Sequence, residues 1–330
     1  MQLYPQKHTT YTKLKTMKTA PTPKTTPRPF MLTPRTEEII RTIYFYRYMN
    51  AMDVAHLLFS PSSLTYVRGI LSSLAGGTDY KTAQYLYRFP LPTAATGNRE
   101  RIYTLGSKGR DFLSRELRLP VNWYFRPHKL KHMGFSTVTH NLVLTRFLVA
   151  ASSWAAREPN FRLMQARISY ELQSSVSSVT VAKAGKTETI RVVPDAWLLF
   201  ERLKNGAHDT SFPILLEIDR GMEYQQKFKR HIASRIEFIR SGEYSKLFDT
   251  HAVTIAYATT GQTPEYRESR RRAMCAWTRE VLTELHKENW AGIFRFTSLS
   301  LDDIYNPALF REPVWFRPDS SEAVPLFTGI

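Results

Sequence analysis

The chain has little of several features that would mark common protein classes. Its 330 residues include a single cysteine, Cys275. An internal disulfide and a cysteine-based zinc site are therefore excluded, and a reducing cytoplasm is the expected location. No apolar stretch approaches the roughly 18–20 residues that span a bilayer, and the basic N-terminus shows no apolar segment typical of a secretory signal. The chain also has no glycine-rich phosphate loop, so we do not expect a nucleotide-driven motor.

Acidic residues are scarce in the first part of the chain. Residues 1–150 contain 22 Lys and Arg against 7 Asp and Glu, a balance of +15. Residues 151–330 contain 24 against 22, a balance of +2, so nearly all of the net charge of +17 lies in the first part. Charge concentrated in this way is typical of a nucleic-acid-binding region. A basic surface that only improves solubility is the alternative, but it does not explain the uneven placement.

The first segment, residues 1–34, is rich in Thr, Pro and Lys and contains no acidic residue. It shows no apolar periodicity, so we expect either a flexible basic arm that contacts phosphates or a disordered tail without a role. Thr33 then offers an N-cap, and a helical pattern begins at Arg35. A folded domain is expected over residues 35–119.

Residues 35–119 predict three helices, a β-hairpin and a closing helix. The third helix, within SLTYVRGILSSLAGG, has a buried stripe at helical spacing and ends at Gly76 and Gly77. The segments YLYRF and RIYTL are typical of the two strands of a hairpin. Three helices followed by a hairpin is the order of a winged helix-turn-helix domain.

In that arrangement the third helix is the one that enters the major groove of duplex DNA, and the hairpin suits contacts with phosphates or the minor groove. Winged helices also mediate protein–protein contacts, which is the alternative here. The candidate DNA-binding residues are the outward residues of the third helix and the arginines of the hairpin. They are Thr65, Tyr66, Arg68, Ser72, Ser73, Arg88, Arg99 and Arg101.

Residues 120–137 combine aromatic, basic and proline residues without a regular period, so a linker is expected there. From residue 138 to 330 the patterns predict the order α-β-β-β-α-β-α-β, typical of an α/β sandwich, followed by a C-terminal extension. The predicted fold class is therefore α/β (α+β overall), with the winged-helix domain first and the sandwich second.

Acidic residues stand at the ends of two predicted strands of the sandwich. Asp195 follows Pro194, and Glu217 and Asp219 close the apolar run in FPILLEIDRG. Residues two apart on a strand share a face, so Glu217 and Asp219 point the same way. If the two strands pair, Asp195 joins them in a three-carboxylate cluster that suits Mg²⁺, with Mn²⁺ as a substitute. Such a metal activates water and neutralises charge on a scissile phosphate.

Basic residues follow the carboxylates on the next predicted helix. Lys227 is the candidate for stabilising a phosphate beside the metal, with Lys229 second. The alternative for the whole site is a structural arginine–carboxylate pair, with Arg220 as a possible partner. His140, near the start of its helix, is a further candidate for the cleft, although capping or packing is the commoner role of such a histidine.

Asp195 with Pro194, followed by Glu217 and Asp219 on the next strand, resembles the PD-(D/E)xK nuclease superfamily. This resemblance implies a restriction-endonuclease-like domain, but Asp219 stands where that superfamily usually has its lysine. The motifs ERIYTLGSKGRDFL, THNLVLTRFL, VPDAWLLF and LLEIDRG, in this order, are similar to the replication-relaxation protein family. That family implies a DNA-binding protein of a plasmid or other mobile element, acting in replication or mobilisation with a nuclease-like domain.

Two functions follow as expectations. The first is a DNA-binding protein that cleaves or nicks DNA with Mg²⁺ at Asp195, Glu217 and Asp219. The second is a non-catalytic DNA-binding regulator or recruitment protein, whose nuclease-like domain contacts replication or mobilisation proteins. No membrane partner is expected, and the sequence leaves the oligomeric state open.

Overall fold

A computed structural model describes most of the chain, and the described residues from Thr33 onward belong to one compact unit. The predicted arm lies outside the described residues except for its last three positions, and Arg99 and most of the predicted linker lie outside them as well. The described ranges are 32–76, 84–91, 100–121, 134–173, 177–183, 186–221, 223–261, 263–301 and 303–327.

The N-terminal part consists of three helices, a hairpin and a short closing helix. Thr33 caps the first helix through a reciprocal pair of hydrogen bonds with Thr36, which confirms the predicted helix start. Met49 forms an isolated antiparallel bridge to Tyr103 and so joins the hairpin to the segment between the first two helices. The elements are α1 (Pro34–Tyr46), α2 (Ala51–Leu58), α3 (Leu64–Ala75), β1 (Leu86–Pro90), β2 (Arg101–Leu105) and α4 (Ser107–Asp111).

The C-terminal part is a mixed sheet with helices between its strands. Its strands and helices, in chain order, are α5 (Phe135–Arg157), β3 (Phe161–Ile168), α6 (Ser169–Leu172), β4 (Ser177–Lys183), β5 (Lys186–Val192), β6 (Ala196–Lys204), β7 (Ala207–Asp219), α7 (Gln225–Arg240), α8 (Glu243–Phe248), β8 (Thr254–Thr259), α9 (Pro264–Glu284), β9 (Phe294–Ser298), α10 (Ala308–Arg311), β10 (Trp315–Phe316) and β11 (Ala323–Val324).

Within the described residues, seven strands form one sheet in the order β11-β10-β9-β8-β7-β6-β3, and β4 and β5 form a separate hairpin. Strand β7 runs antiparallel to β6 and parallel to β8. The chain is therefore a mixed α/β protein, as predicted at that level. The alternation of β5 was predicted, but β4, its pairing with β5, and the strands β10 and β11 were not. The serines of β4 are typical of a turn segment, and two-residue strands are too short to show a period.

The two faces of the sheet pack against different helices. On one face, Trp197, Leu215 and Tyr257 pack against α7 and α9 through Phe228 and Met274. On the other face, Trp154 of α5 stacks among the aromatic rings Phe161, Phe200, Phe310 and Phe327. Since residues alternate along a strand, Glu217 and Asp219 share the α7–α9 face with Leu215.

Helix α5 joins the N-terminal helices to the sheet. Thr145 donates a hydrogen bond to the Tyr46 carbonyl, and Ser153 donates one to the His56 carbonyl. The helix begins at Phe135, three residues inside the segment predicted to be a linker. The proposed division into domains at residues 119 and 138 stays a prediction. No helix in the described part of the chain has both the length and the apolar character to cross a membrane.

Candidate functional sites: an arginine-lined groove and a carboxylate pocket

Helix α3 exposes the residues that its sequence pattern predicts to face outward. Its inner stripe, Val67, Leu71 and Leu74, is fully buried, and this fixes the orientation of the helix. The outward candidates lie on the opposite side and are exposed to solvent. They are Thr65, Tyr66, Arg68, Ser72 and Ser73.

The hairpin brings two predicted arginines to the same side as α3. Arg88 donates a hydrogen bond to the Ser72 hydroxyl, with 3.3 Å between Nη1 and Oγ. Burial raises the pKa of Tyr103, while the nearby guanidinium groups of Arg88, Arg101 and Arg68 act to lower it. Arg68, Arg101 and Tyr103 line one groove with Ser72, to which Arg88 donates. The three arginines, from one helix and two strands, therefore converge around Tyr103.

A groove of about 580 Å³ runs between the start of α2, the exposed face of α3 and strand β2. Arg68, Gly69 and Arg101 line it, together with the acidic residue Glu100. Glu100 accepts a hydrogen bond from Arg146 of α5 at 2.6 Å, which offsets part of its charge. The groove can therefore accept a polyanion such as a nucleic-acid backbone.

A second site lies at the carboxyl end of β7. Ala196 pairs with Leu216, so Asp195 and Glu217 are neighbours across β6 and β7. Glu217 in turn pairs with Tyr257 of β8. All three residues line a pocket of about 440 Å³ between the sheet, the start of α5 and α7. The structure thus brings Asp195 and Glu217 together, as expected from strand pairing.

Asp195 is held from two sides. Its Oδ2 accepts a hydrogen bond from the Ile218 backbone N–H at 2.8 Å, and its Oδ1 lies 3.0 Å from Nε2 of His140. Burial acts to lower the pKa of His140, but the hydrogen bond and charge of Asp195 outweigh it and the net pKa is raised. His140 therefore faces the cleft, the less common of the two roles considered for it.

Glu217 forms an ion pair with Arg235 of α7. The Arg235 Nε and Nη2 atoms lie 2.7 and 2.6 Å from Glu217 Oε1, and both side chains are nearly buried. Burial raises the pKa of Glu217, and the charge of Arg235 opposes that shift. The alternative considered for this site, a structural arginine–carboxylate pair, is thus present, with Arg235 as the partner.

Asp219 lies at the edge of the same pocket but is bound to another helix. Arg270 of α9 donates to both of its oxygens, Nε to Oδ2 at 2.9 Å and Nη2 to Oδ1 at 3.0 Å. The Gly221 N–H also donates to Oδ2 at 3.2 Å. Asp219 shares a face with Glu217, but its oxygens are occupied.

The two candidate lysines are both paired. Lys227 lines the pocket, and its Nζ lies 3.0 Å from Glu223 Oε1. Although burial acts to raise it, contacts with His231 and Lys227 lower the pKa of Glu223 to about 2. Lys229 points instead to α9, where it pairs with Glu280 at 2.5 Å and Glu284 at 3.4 Å. Lys227 therefore lies in the pocket with Asp195 and Glu217, and Lys229 lies outside it.

The predicted metal set does not fit Mg²⁺ in this arrangement. Within the described ranges, no three histidine, cysteine or carboxylate side chains are placed to hold a metal ion. Glu217 and Asp219 direct oxygens at guanidinium groups, and Asp195 directs its oxygens at His140 and a backbone N–H. In this arrangement guanidinium groups contact Glu217 Oε1 and both oxygens of Asp219. The expectation that the three carboxylates jointly bind a metal stays a prediction.

Comparison with known proteins adds no relative. No family model matches the chain, and neither the curated proteins nor the solved structures contain a significant match. The resemblance to the replication-relaxation and PD-(D/E)xK families stays a prediction.

The arginine partners of Glu217 and Asp219 were not found from the sequence. Arg235 lies three residues after the inward-facing Ile232, and Arg270 lies four residues before the buried Met274. A charged residue on an apolar stripe is the signal that indicates a buried ion pair. Arg220 was considered as a partner of the acids, but it donates to the backbone carbonyl and the hydroxyl of Ser136.

Proposed function

We propose that this protein binds duplex DNA through a winged helix-turn-helix domain formed by α1 to α3 and the β1–β2 hairpin. The observation that carries the proposal is the convergence of Arg68, Arg88 and Arg101 around Tyr103, beside the exposed face of α3. The order of the elements, three helices followed by a hairpin, supports it. The isolated bridge between Met49 and Tyr103 also joins the hairpin to the helices.

The geometry suits one DNA backbone lying in the groove between helix and hairpin. With α3 in the major groove, the hairpin lies over the adjacent backbone, where Arg88 and Arg101 meet phosphates. Arg68 stands on the helix itself, where a guanidinium can reach a base edge or a phosphate. The three positive charges would release condensed counterions, so the affinity should fall steeply as salt rises.

We further propose that the C-terminal part is a nuclease-like domain that does not cut DNA. The order α5, β3, β6, β7, α7, β8, with β7 parallel to β8, supports the restriction-endonuclease-like comparison. The ion pairs Glu217–Arg235 and Asp219–Arg270 support the absence of cleavage. Freeing either carboxylate for a metal would leave a nearly buried arginine without its partner, which is costly.

The biological setting that fits is the replication or mobilisation of a plasmid or other mobile element in the cytoplasm. There the winged-helix domain would find DNA, and the C-terminal part would recruit a replication or transfer protein. The resemblance of the four sequence motifs supports this setting.

Fluorescence anisotropy with a labelled duplex tests the DNA-binding proposal. The natural protein should bind in low salt, and Arg68→Gln/Arg88→Gln/Arg101→Gln should bind about tenfold more weakly or worse. Arg162→Gln, an exposed arginine on β3, is the matched control and should leave affinity unchanged. Equal affinity of the triple variant and the control would contradict the assignment.

A further inference from the structure

The carboxylates of the pocket at the end of β7 have little left to offer a cation. Each of the four that line it already faces a cationic side chain of the protein. Asp195 faces His140, Glu217 faces Arg235, Asp219 faces Arg270, and Glu223 faces both Lys227 and His231.

Two hydrogen-bond donors of the same pocket, Arg220 and the Tyr257 hydroxyl, are not paired with a carboxylate in the described part of the chain. Arg220 donates to the carbonyl and hydroxyl of Ser136, and no carboxylate among the described residues lies within ion-pair distance of it. Burial lowers its pKa. The Tyr257 hydroxyl is buried and has no hydrogen-bond partner within the described part of the chain. Buried polar groups are normally paired, so this hydroxyl points to a missing acceptor.

The start of α5 also contributes to the pocket. Ser136 and Thr137 line the pocket from the first turn of α5, a helix of 23 residues. The start of a helix carries a partial positive charge from its aligned peptide dipoles. His140, one turn further along, lines the same pocket, with its Nε2 3.0 Å from Asp195 Oδ1. Arg220 adds a guanidinium, whose planar fork matches the oxygens of a phosphate.

We propose that this pocket binds a phosphate-type oxyanion and not a divalent cation. Arg220 holds the oxyanion at the rim, and the Tyr257 hydroxyl donates to it from the floor. The bound group is either free phosphate or a phosphate of the DNA backbone, and the two sources share this chemistry. The free-phosphate form is independent of DNA binding by α3, whereas the backbone form rests on the function proposed above.

Thermal unfolding of the full-length protein with inorganic phosphate, Mg²⁺ or sodium chloride at matched ionic strength tests the site. Phosphate should raise Tm saturably, and Mg²⁺ should raise it no more than the chloride control. Arg220→Gln and Tyr257→Phe should each weaken the phosphate Kd about tenfold or more. Tyr257→Phe keeps the ring that stacks on Phe296, and Arg162→Gln serves as the matched control.

The proposal is overturned if Mg²⁺ raises Tm and phosphate does not. It is equally overturned if Arg220→Gln and Tyr257→Phe respond to phosphate as the control does, because the effect would then be a general salt effect. Duplex titrations of Arg220→Gln identify the source. A backbone phosphate predicts a salt slope about 0.9 smaller than that of the natural protein, and free phosphate predicts an unchanged slope. If the natural protein binds phosphate but no duplex, the proposed function fails while this site stands.

Discussion

Arg270 of α9 grips both carboxylate oxygens of Asp219, the residue that ends β7. The two side chains are 9% and 6% exposed, so the pair is nearly dry. Two residues earlier on the same strand, Glu217 pairs with Arg235 of α7, whose Nε and Nη2 both contact Oε1. Helices α7 and α9 are thus each joined to β7 by an ion pair, and the sequence had indicated both carboxylates, Glu217 and Asp219, as metal ligands.

Breaking the Asp219–Arg270 pair from one side should destabilise the fold strongly. Arg270→Gln leaves the Asp219 carboxylate nearly buried without a cation, at a cost of about 3–5 kcal/mol. Asp219→Asn/Arg270→Gln should cost less than the sum of the single changes, because no buried charge is left alone. Urea unfolding of the four proteins measures the coupling energy. Arg272→Gln, on the exposed side of α9, is the control, and strictly additive effects would show that the pair is not energetically coupled.

Asp53 of α2 makes the stability depend on pH. It is fully buried, and burial raises its pKa from 3.8 to about 6, although Arg146, Tyr305 and Asn50 act against the shift. Because the folded state holds the Asp53 proton more tightly than the unfolded state, protonation of Asp53 favours folding. This contribution to the free energy of unfolding is complete below about pH 3.8. It is lost as the pH rises through about 6.

Asp53→Asn should therefore gain stability relative to the natural protein between pH 4 and pH 8. The relative gain is expected to reach about 3 kcal/mol, since one pKa unit corresponds to about 1.4 kcal/mol. Urea unfolding at several pH values measures the difference between the two proteins, with the half-exposed Asp111→Asn as the control. A difference that stays constant with pH would contradict the raised pKa.

Substitutions of Gly69 should affect protein stability and DNA affinity differently. It lies on the exposed face of α3, and a Cβ added there would meet no atom within 4 Å. Gly69→Ala should therefore stabilise the protein by about 0.5–1 kcal/mol through helix propensity. The bulkier Gly69→Gln should weaken duplex binding several-fold, because α3 must approach DNA closely.

Ser269→Ala on the exposed side of α9 is the matched control for Gly69. It should stabilise the protein slightly without changing affinity for DNA, as measured by thermal unfolding and anisotropy. Full duplex affinity in Gly69→Gln would show that this face of α3 does not enter the groove.

Local patterns were enough to predict the N-terminal helices. The cap at Thr33, the buried stripe of α3 and the end of α3 at Gly76 each depend on residues a few positions apart. The shared face of Glu217 and Asp219 was equally predictable, because it follows from the two-residue period of a strand. Pairing of β6 with β7 then brought Asp195 beside Glu217, as expected.

The partners of these acids could not be predicted in the same way. Arg270 is 51 residues from Asp219, and His140 is 55 residues from Asp195. No periodicity relates such distant residues, so the choice between a metal and an arginine depends on how α5, α7 and α9 pack on the sheet. The sequence therefore identified where the carboxylates meet but not what they bind.

Incubating supercoiled plasmid with the purified protein and Mg²⁺ or Mn²⁺ tests the central claim, binding without cutting, most directly. The account predicts a retarded plasmid that runs as intact supercoiled DNA once the protein is removed, and no retardation by Arg68→Gln/Arg88→Gln/Arg101→Gln. Nicked or linear plasmid made by the natural protein and not by Glu217→Gln would contradict it.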